Sequence, residues 1–357
     1  MWLTILLGLM AAVLVGAVVV LALRAAMRAS RRRADAITCP PGIEWSGYVE
    51  INGVPQWLLI RGEDARNPLL LFLHGGPGSP ETVLAGRRYS AAIEKHFVVV
   101  HWEQRGTCKS YSAALARTPL TSEQLIADVD AVSRYLLATY RRHKLYLIGH
   151  SWGSWLGIVA IGNHPELYHA FIGVGQFVNA IEQERISLRF TQDYLARRGD
   201  RAGLAKLAAL GEPPSPRPFQ DILRQRAVLL RAGGSFGPGY PVTRMLRDAL
   251  VCPHYRLSDA WPFVKGQIFS TRSILGRQYW DRALDKTHLR FAIPVHFFIG
   301  RRDYNTPSEL AERYFDELEA PKKEKVVFEH AAHMIPFEEP QRFNREVVRV
   351  FAPSLTQ

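Results

Sequence analysis

The hydrophobic pattern of the chain changes character several times. From Trp2 to Leu23 it is apolar with no acid or base, long enough for a helix that crosses a bilayer. Glu44–Ile51 and Pro55–Arg61 then alternate as two strands joined at Asn52-Gly53, a hairpin signal. Pro68–Leu73 and Phe97–His101 are continuous apolar runs, as in the middle of a parallel sheet, where both faces are buried. The run from Lys144 ends abruptly at Gly149-His150-Ser151-Trp152-Gly153, and further strands follow at Ala170–Val174, Pro294–Gly300 and Glu324–Phe328. Helical patterns separate them: Thr121–Tyr140, with a capping pair at Thr121 and Gln124, then Ser154–Ile161, and finally Glu339–Phe351. This alternation predicts an α/β fold with a mostly parallel sheet covered by helices on both faces.

Between about Gly175 and Arg290 the alternation stops. Ala180–Arg198, Gly203–Leu210, Pro218–Ala232 and Pro241–Leu250 read as helices, broken by Pro-rich and Gly-rich stretches. A helical block inserted between sheet strands is expected to cap the site and shape its pocket. The expected division is an anchor over 1–24, a basic juxtamembrane linker over 25–42, a core in two parts over 43–178 and 291–357, and a cap over 179–290.

Composition sharpens this outline. With 357 residues, 47% of them hydrophobic, the chain has ample material for a buried core, which excludes a disordered protein. The formal net charge of +12 is concentrated in two places. One is Arg24, Arg28, Arg31, Arg32 and Arg33, just after the apolar span; the other is residues 180–290, where Lys and Arg outnumber Asp and Glu by nine. A cleavable signal would carry its basic residues before a shorter apolar run, so the order here predicts an uncleaved single-pass anchor. The positive-inside rule puts the C-terminal side in the cytoplasm. Three cysteines, Cys39, Cys108 and Cys252, suit a reducing compartment better than a disulfide framework. A basic cap on a tethered protein would be drawn to anionic lipid or an acidic substrate, or is simply a solvated face. No nucleic-acid-binding motif is present.

The chemistry centres on Ser151. A strand running into Gly-x-Ser-x-Gly and then a helix puts the serine on a tight, strained turn that only flanking glycines permit, with helix amides facing the charge that develops in acyl transfer. His74-Gly75-Gly76-Pro77-Gly78, at the end of a buried strand, lets backbone amides face a cavity, as an oxyanion needs. A serine requires a base, and the base a carboxylate, in the chain order serine, acid, histidine. Asp303, in the loop after the strand ending at Gly300, is the expected acid. Two histidines, His330 and His333, follow the last strand, and His333 is preferred because it lies further out in the loop. Metal and organic cofactors are not expected.

Together with Gln104-Arg105-Gly106, Thr306-Pro307 and Glu338-Glu339-Pro340, these motifs resemble the α/β-hydrolases of the proline iminopeptidase type over about residues 44–357. The resemblance implies Ser151, Asp303 and His333 as a triad and the amides of Gly76 and Trp152 as the oxyanion hole. Two departures stand out: Glu103 and Cys108 occupy positions where the family usually has aspartate and glycine. The resemblance also implies acidic cap residues that hold a substrate's free amino group, for which Glu182 and Glu184 are the nearest candidates. The expected activity is therefore that of a membrane-anchored serine hydrolase on a peptide or small-molecule substrate, an aminopeptidase for small N-terminal residues. A carboxylesterase or lipase, and a non-catalytic scaffold that has kept the fold, are the alternatives.

Overall fold

The computed structural model describes residues 2–352; residue 1 and residues 353–357, at the outer ends of the expected anchor and second core segment, lie outside them. Eight strands, β1 (Ile43–Ile51), β2 (Val54–Gly62), β3 (Leu69–Leu73), β4 (Val98–Trp102), β5 (Leu145–His150), β6 (Tyr168–Val174), β7 (Val295–Gly300) and β8 (Lys323–Phe328), form one sheet. Their order is β1-β2-β4-β3-β5-β6-β7-β8. The β1–β2 hairpin turns at Asn52-Gly53 and pairs antiparallel with β4, and every pairing from β4 to β8 is parallel. The period of two divides the sheet's side chains between two cores. Leu69, Leu71 and Leu73 enter one with Leu147 and Phe297, whereas Leu70 and Phe72 enter the other with Tyr146 and Phe298.

In chain order the helices are α1 (Trp2–Asp35), α2 (Ala91–His96), α3 (Ser122–Tyr140), α4 (Trp152–Asn163), α5 (Ala180–Arg197), α6 (Arg201–Ala208), α7 (Pro218–Ala232), α8 (Val242–Leu250), α9 (Ala260–Ile274), the one-turn α10 (Leu284–Thr287), α11 (Ser308–Glu317), α12 (Ile335–Glu338) and α13 (Pro340–Phe351). The predicted capping box of α3 is present: Gln124 N–H donates to Thr121 Oγ1 and Thr121 N–H to Gln124 Oε1. Helices α5 to α10 make the cap. Of these, α9 breaks the pattern rules, because Pro262 and Gly266 interrupt it. Its Gly266 is needed: a Cβ there would lie 2.7 Å from the Gly106 carbonyl oxygen and 2.8 Å from Cys108 N.

Helix α1 is long and apolar enough to cross a membrane, and side chains such as Val13, Val15, Val18 and Leu23 are exposed. The helix does not stop at Leu23; its basic continuation to Asp35 is helical too and lies on the body. Arg24, Arg28, Arg31 and Asp35 share one face. Arg24 donates to the Leu250 carbonyl at 3.0 Å, Arg28 to that of Pro253 at 2.8 Å, and Arg31 to that of Asp248 at 2.8 Å. At the end, the Asp35 carbonyl accepts from Arg61, itself buried against Glu94 and Glu44. The free half of α1 and its clasped half thus meet at Arg24.

Candidate active site

The parallel strands place their C-terminal ends along one edge, and the loops leaving that edge build the site. At the end of β5, Ser151 takes φ 54 and ψ −120, a region L-residues rarely adopt, between two glycines that cannot be replaced. A Cβ on Gly149 would lie 2.2 Å from the Gly153 carbonyl oxygen, and one on Gly153 2.1 Å from that of Leu73. Trp152 is the first residue of α4, so its amide has no partner within the helix.

After β7, Asp303 is buried, with Oδ1 accepting from the amides of Asn305 at 2.8 Å and Thr306 at 2.9 Å. Its Oδ2 lies 2.7 Å from His333 Nδ1. The Thr306 hydroxyl donates to the same Oδ2 at 2.8 Å and sits 3.2 Å from His333 Nδ1, a bridging role that the sequence motif did not reveal. With Nδ1–H donated to a carboxylate, the unprotonated nitrogen of His333 is Nε2. His330 is exposed and is absent from the wall of the cavity that His333 lines.

A cavity of about 560 Å³ collects Ser151, His333, Thr306, Gly76 and Trp152 on its wall. Gly76 and Gly78 have φ +114 and +86, conformations that suit glycine. The cap holds this loop directly: Thr271 Oγ1 donates to the Pro77 carbonyl at 2.8 Å, and Gln267 Nε2 to Ser79 Oγ at 2.7 Å, both from α9. Phe219, Ile222, Phe236, Ile268 and Leu275 give the cap side of the cavity an apolar lining.

The two cap acids do not reach the cavity. Glu182 is on the outer side of α5 and pairs with Arg185 at 2.8 Å, both half-exposed. Glu184 is buried and committed inside the cap, accepting from Arg226 Nη2 at 2.6 Å and from Tyr279 OH at 2.8 Å. The carboxylate on the cavity wall is instead Glu81, which sequence reasoning missed. One of its oxygens is 2.5 Å from His150 Nδ1, while Oε2 is buried with no hydrogen-bond partner. Burial opposes the His150 imidazolium, but the adjacent Glu81 carboxylate outweighs it, and the pKa is raised.

The unusual Glu103 is also buried. Burial, only partly offset by donors from Lys109 N and Tyr255 OH, raises its pKa to about 7. Burial, and secondarily Glu103, pushes the Cys108 thiol far above its ordinary value, as expected of a small core residue. Among the described residues no group of three or more His, Cys, Asp or Glu side chains is gathered as a metal site.

Comparison with known proteins identifies the family and the fold. Residues 70–346 match the alpha/beta hydrolase family. A "probable aminopeptidase YbaC" of Bacillus subtilis is 32% identical over 303 residues, 84% of this chain and 94% of the relative. Two solved structures share the fold. A proline iminopeptidase of Mycobacterium smegmatis superposes with a TM-score of 0.63 at 20% identity, over 87% of this chain and 99% of its own. A bacterial membrane phospholipase A superposes with a TM-score of 0.63 at 17% identity, over 99% of this chain and 98% of its own.

Proposed function

The chain belongs to the alpha/beta hydrolase family, and we propose that it is a serine hydrolase tethered to a membrane by α1, with Ser151 as nucleophile, His333 as base and Asp303 as the carboxylate that orients it. One observation carries this reading: His333, 2.7 Å from Asp303, faces the same cavity as the strained Ser151. His333 Nε2 takes the Ser151 proton as Oγ adds to a substrate carbonyl. The amides of Gly76 and Trp152 donate to the oxyanion. His333 then returns the proton to the leaving amine or alcohol, the carbonyl re-forms, and a water activated by the same nitrogen hydrolyses the acyl-enzyme.

The leading reaction is release of an N-terminal residue from a peptide, carried by likeness to the probable aminopeptidase matched over 94% of its length. Glu81 is the carboxylate that lines the cavity; one oxygen is held by His150 and the other is buried, so a substrate amine would reach it only after the side chain moves. A second reading, hydrolysis of acyl esters, is favoured by the apolar cap lining and by the withdrawal of Glu184 into an ion pair. The arginines after the apolar span favour a cytoplasmic catalytic part.

The full chain in detergent, assayed on alanyl and prolyl arylamides and on short and long acyl p-nitrophenyl esters, separates these readings. Arylamide cleavage that stops when the amine is blocked is expected of the aminopeptidase, and ester-only cleavage would replace it. Ser151→Ala should lower either activity by at least about 10^4-fold, and near-native turnover would remove the serine mechanism.

A further inference from the structure

We propose that the face formed by the clasped half of α1 together with α8 and α9 is a docking surface for an anionic bilayer, seating the mouth of the catalytic cavity in the lipid headgroup layer. The proposal rests on α1 being a membrane anchor. Its first support is an apolar stripe that nothing in the fold covers. Leu246 and Leu250 on α8, Leu257 between the helices, and Trp261, Val264 and Ile268 on α9 are between 51% and 68% exposed, apart from Val264 at 50%. The spacings 246/250 on α8 and 261/264/268 on α9 each keep to one face of their helix. These residues do not pack the cap, because other faces of the same helices already do. Met245 and Ala249 pack on the core, and Gly266 and Ser270 lie against the Gly106 loop. Unpartnered apolar surface of this kind marks an interaction site.

The second support is the level at which the stripe lies. Arg24 is the first charged residue after the apolar span, and its side chain is hydrogen-bonded to the carbonyl of Leu250 in the stripe. With the span in the hydrocarbon, Leu250 is therefore held where α1 leaves it. Trp261, next to Lys265 at 4.7 Å, suits that same interface.

The third support is charge. A groove of about 840 Å³ runs between α1 and α8, and Arg87, Arg88, Arg244 and Arg247 line it together with Arg31. Asp35, Asp248 and Glu338 lie among them, so five arginines against three acids leave the groove net positive. Met27, at its α1 wall, is three residues past Arg24, about 4.5 Å along the helix. The groove thus begins within the depth of the headgroup layer, where phosphates are available to guanidinium groups.

The surface is tied to catalysis through α9. Ile268 belongs both to the stripe and to the cavity wall, and Leu223 and Leu230 are likewise exposed and cavity-lining. Through Thr271 and Gln267 the same helix holds the Pro77 carbonyl and the Ser79 hydroxyl, beside the Gly76 amide. An amphiphile lying in the outer part of the bilayer would meet the cavity at Ile268 without crossing water, which makes interfacial acyl compounds the favoured substrates whatever their leaving group.

The test uses the full chain in lipid nanodiscs of phosphatidylcholine with or without phosphatidylglycerol, on a Cys39→Ser background. An environment-sensitive fluorophore is placed at Val264→Cys, at Val18→Cys in the span, or at Arg313→Cys on the far helix α11, and doxyl-labelled lipid is the quencher. Quenching at 18 and 264 but not 313 is expected, stronger at 264 with the anionic lipid. Arg244→Glu with Arg247→Glu should lower quenching at 264 at least about two-fold and leave 18 unchanged. Quenching at 18 without quenching at 264 overturns the docking surface while sparing the anchor. Quenching at neither removes both. Cross-linking between the 264 positions of two chains, with no lipid quenching there, would assign the stripe to a second copy instead.

Discussion

The Nε2–H of His150 donates to the backbone carbonyl of His333 at 2.9 Å, so the residue before the proposed nucleophile fixes the loop of the proposed base. The other ring nitrogen of His150 is 2.5 Å from Glu81, which follows the Gly-rich loop. One imidazole therefore ties together three loops of the candidate site.

That tie is pH-dependent. The folded state raises the His150 pKa, so folding favours its protonated form. The stabilisation is full below the unfolded value of about 6.5 and is lost as pH rises through the higher folded value. Thermal unfolding followed from pH 6 upward should show this loss in the wild type. In Glu81→Gln, where burial is no longer opposed by a carboxylate, the folded pKa should drop and this loss should disappear. Parallel curves for the two proteins would contradict the linkage.

Gly175, after β6, underlies the acid–base pair. A Cβ there would lie 3.1 Å from His333 Nδ1 and 3.2 Å from Asp303 Oδ2, and its φ is +52. Gly175→Ala should cost about 1 kcal/mol in backbone strain and lower kcat by about 10–100-fold by displacing the base. Steady-state kinetics beside a melting curve measure both; a wild-type kcat would show that the pair tolerates the methyl.

The two cap glutamates should behave oppositely. Glu184→Gln leaves the Arg226 guanidinium without its counter-charge in the cap and should cost about 3 kcal/mol. Glu182→Gln removes a half-exposed pair with Arg185 and should stay within about 0.5 kcal/mol, with no change in KM for a free-amine substrate. Denaturant unfolding and arylamide kinetics test this. A large KM increase in Glu182→Gln would return that residue to the substrate site.

Much was legible in the sequence because its causes are local. Strand runs such as Leu69–Leu73 announce burial on both faces by being wholly apolar, and the glycines around Ser151 are demanded by a turn only a few residues long. The order in which Ser151, Asp303 and His333 follow their strands depends only on where those strands end. The apolar span and the arginines after it are likewise a property of consecutive residues.

What the tertiary structure decided depends on residues far apart in the chain. In sequence Glu184 reads as a candidate amine ligand, whereas in the fold Arg226, on another helix, takes its carboxylate. Glu81 carries no local mark, and its place at the cavity follows from β3 and β5 being neighbours in the sheet. Helix α9 was hidden by Pro262 and Gly266, residues that lower helix propensity, yet the glycine is what lets the helix approach the Gly106 loop. Its outward apolar face resembles a core-facing one in sequence, because periodicity records that a face is apolar and not which side of it meets solvent, protein or lipid.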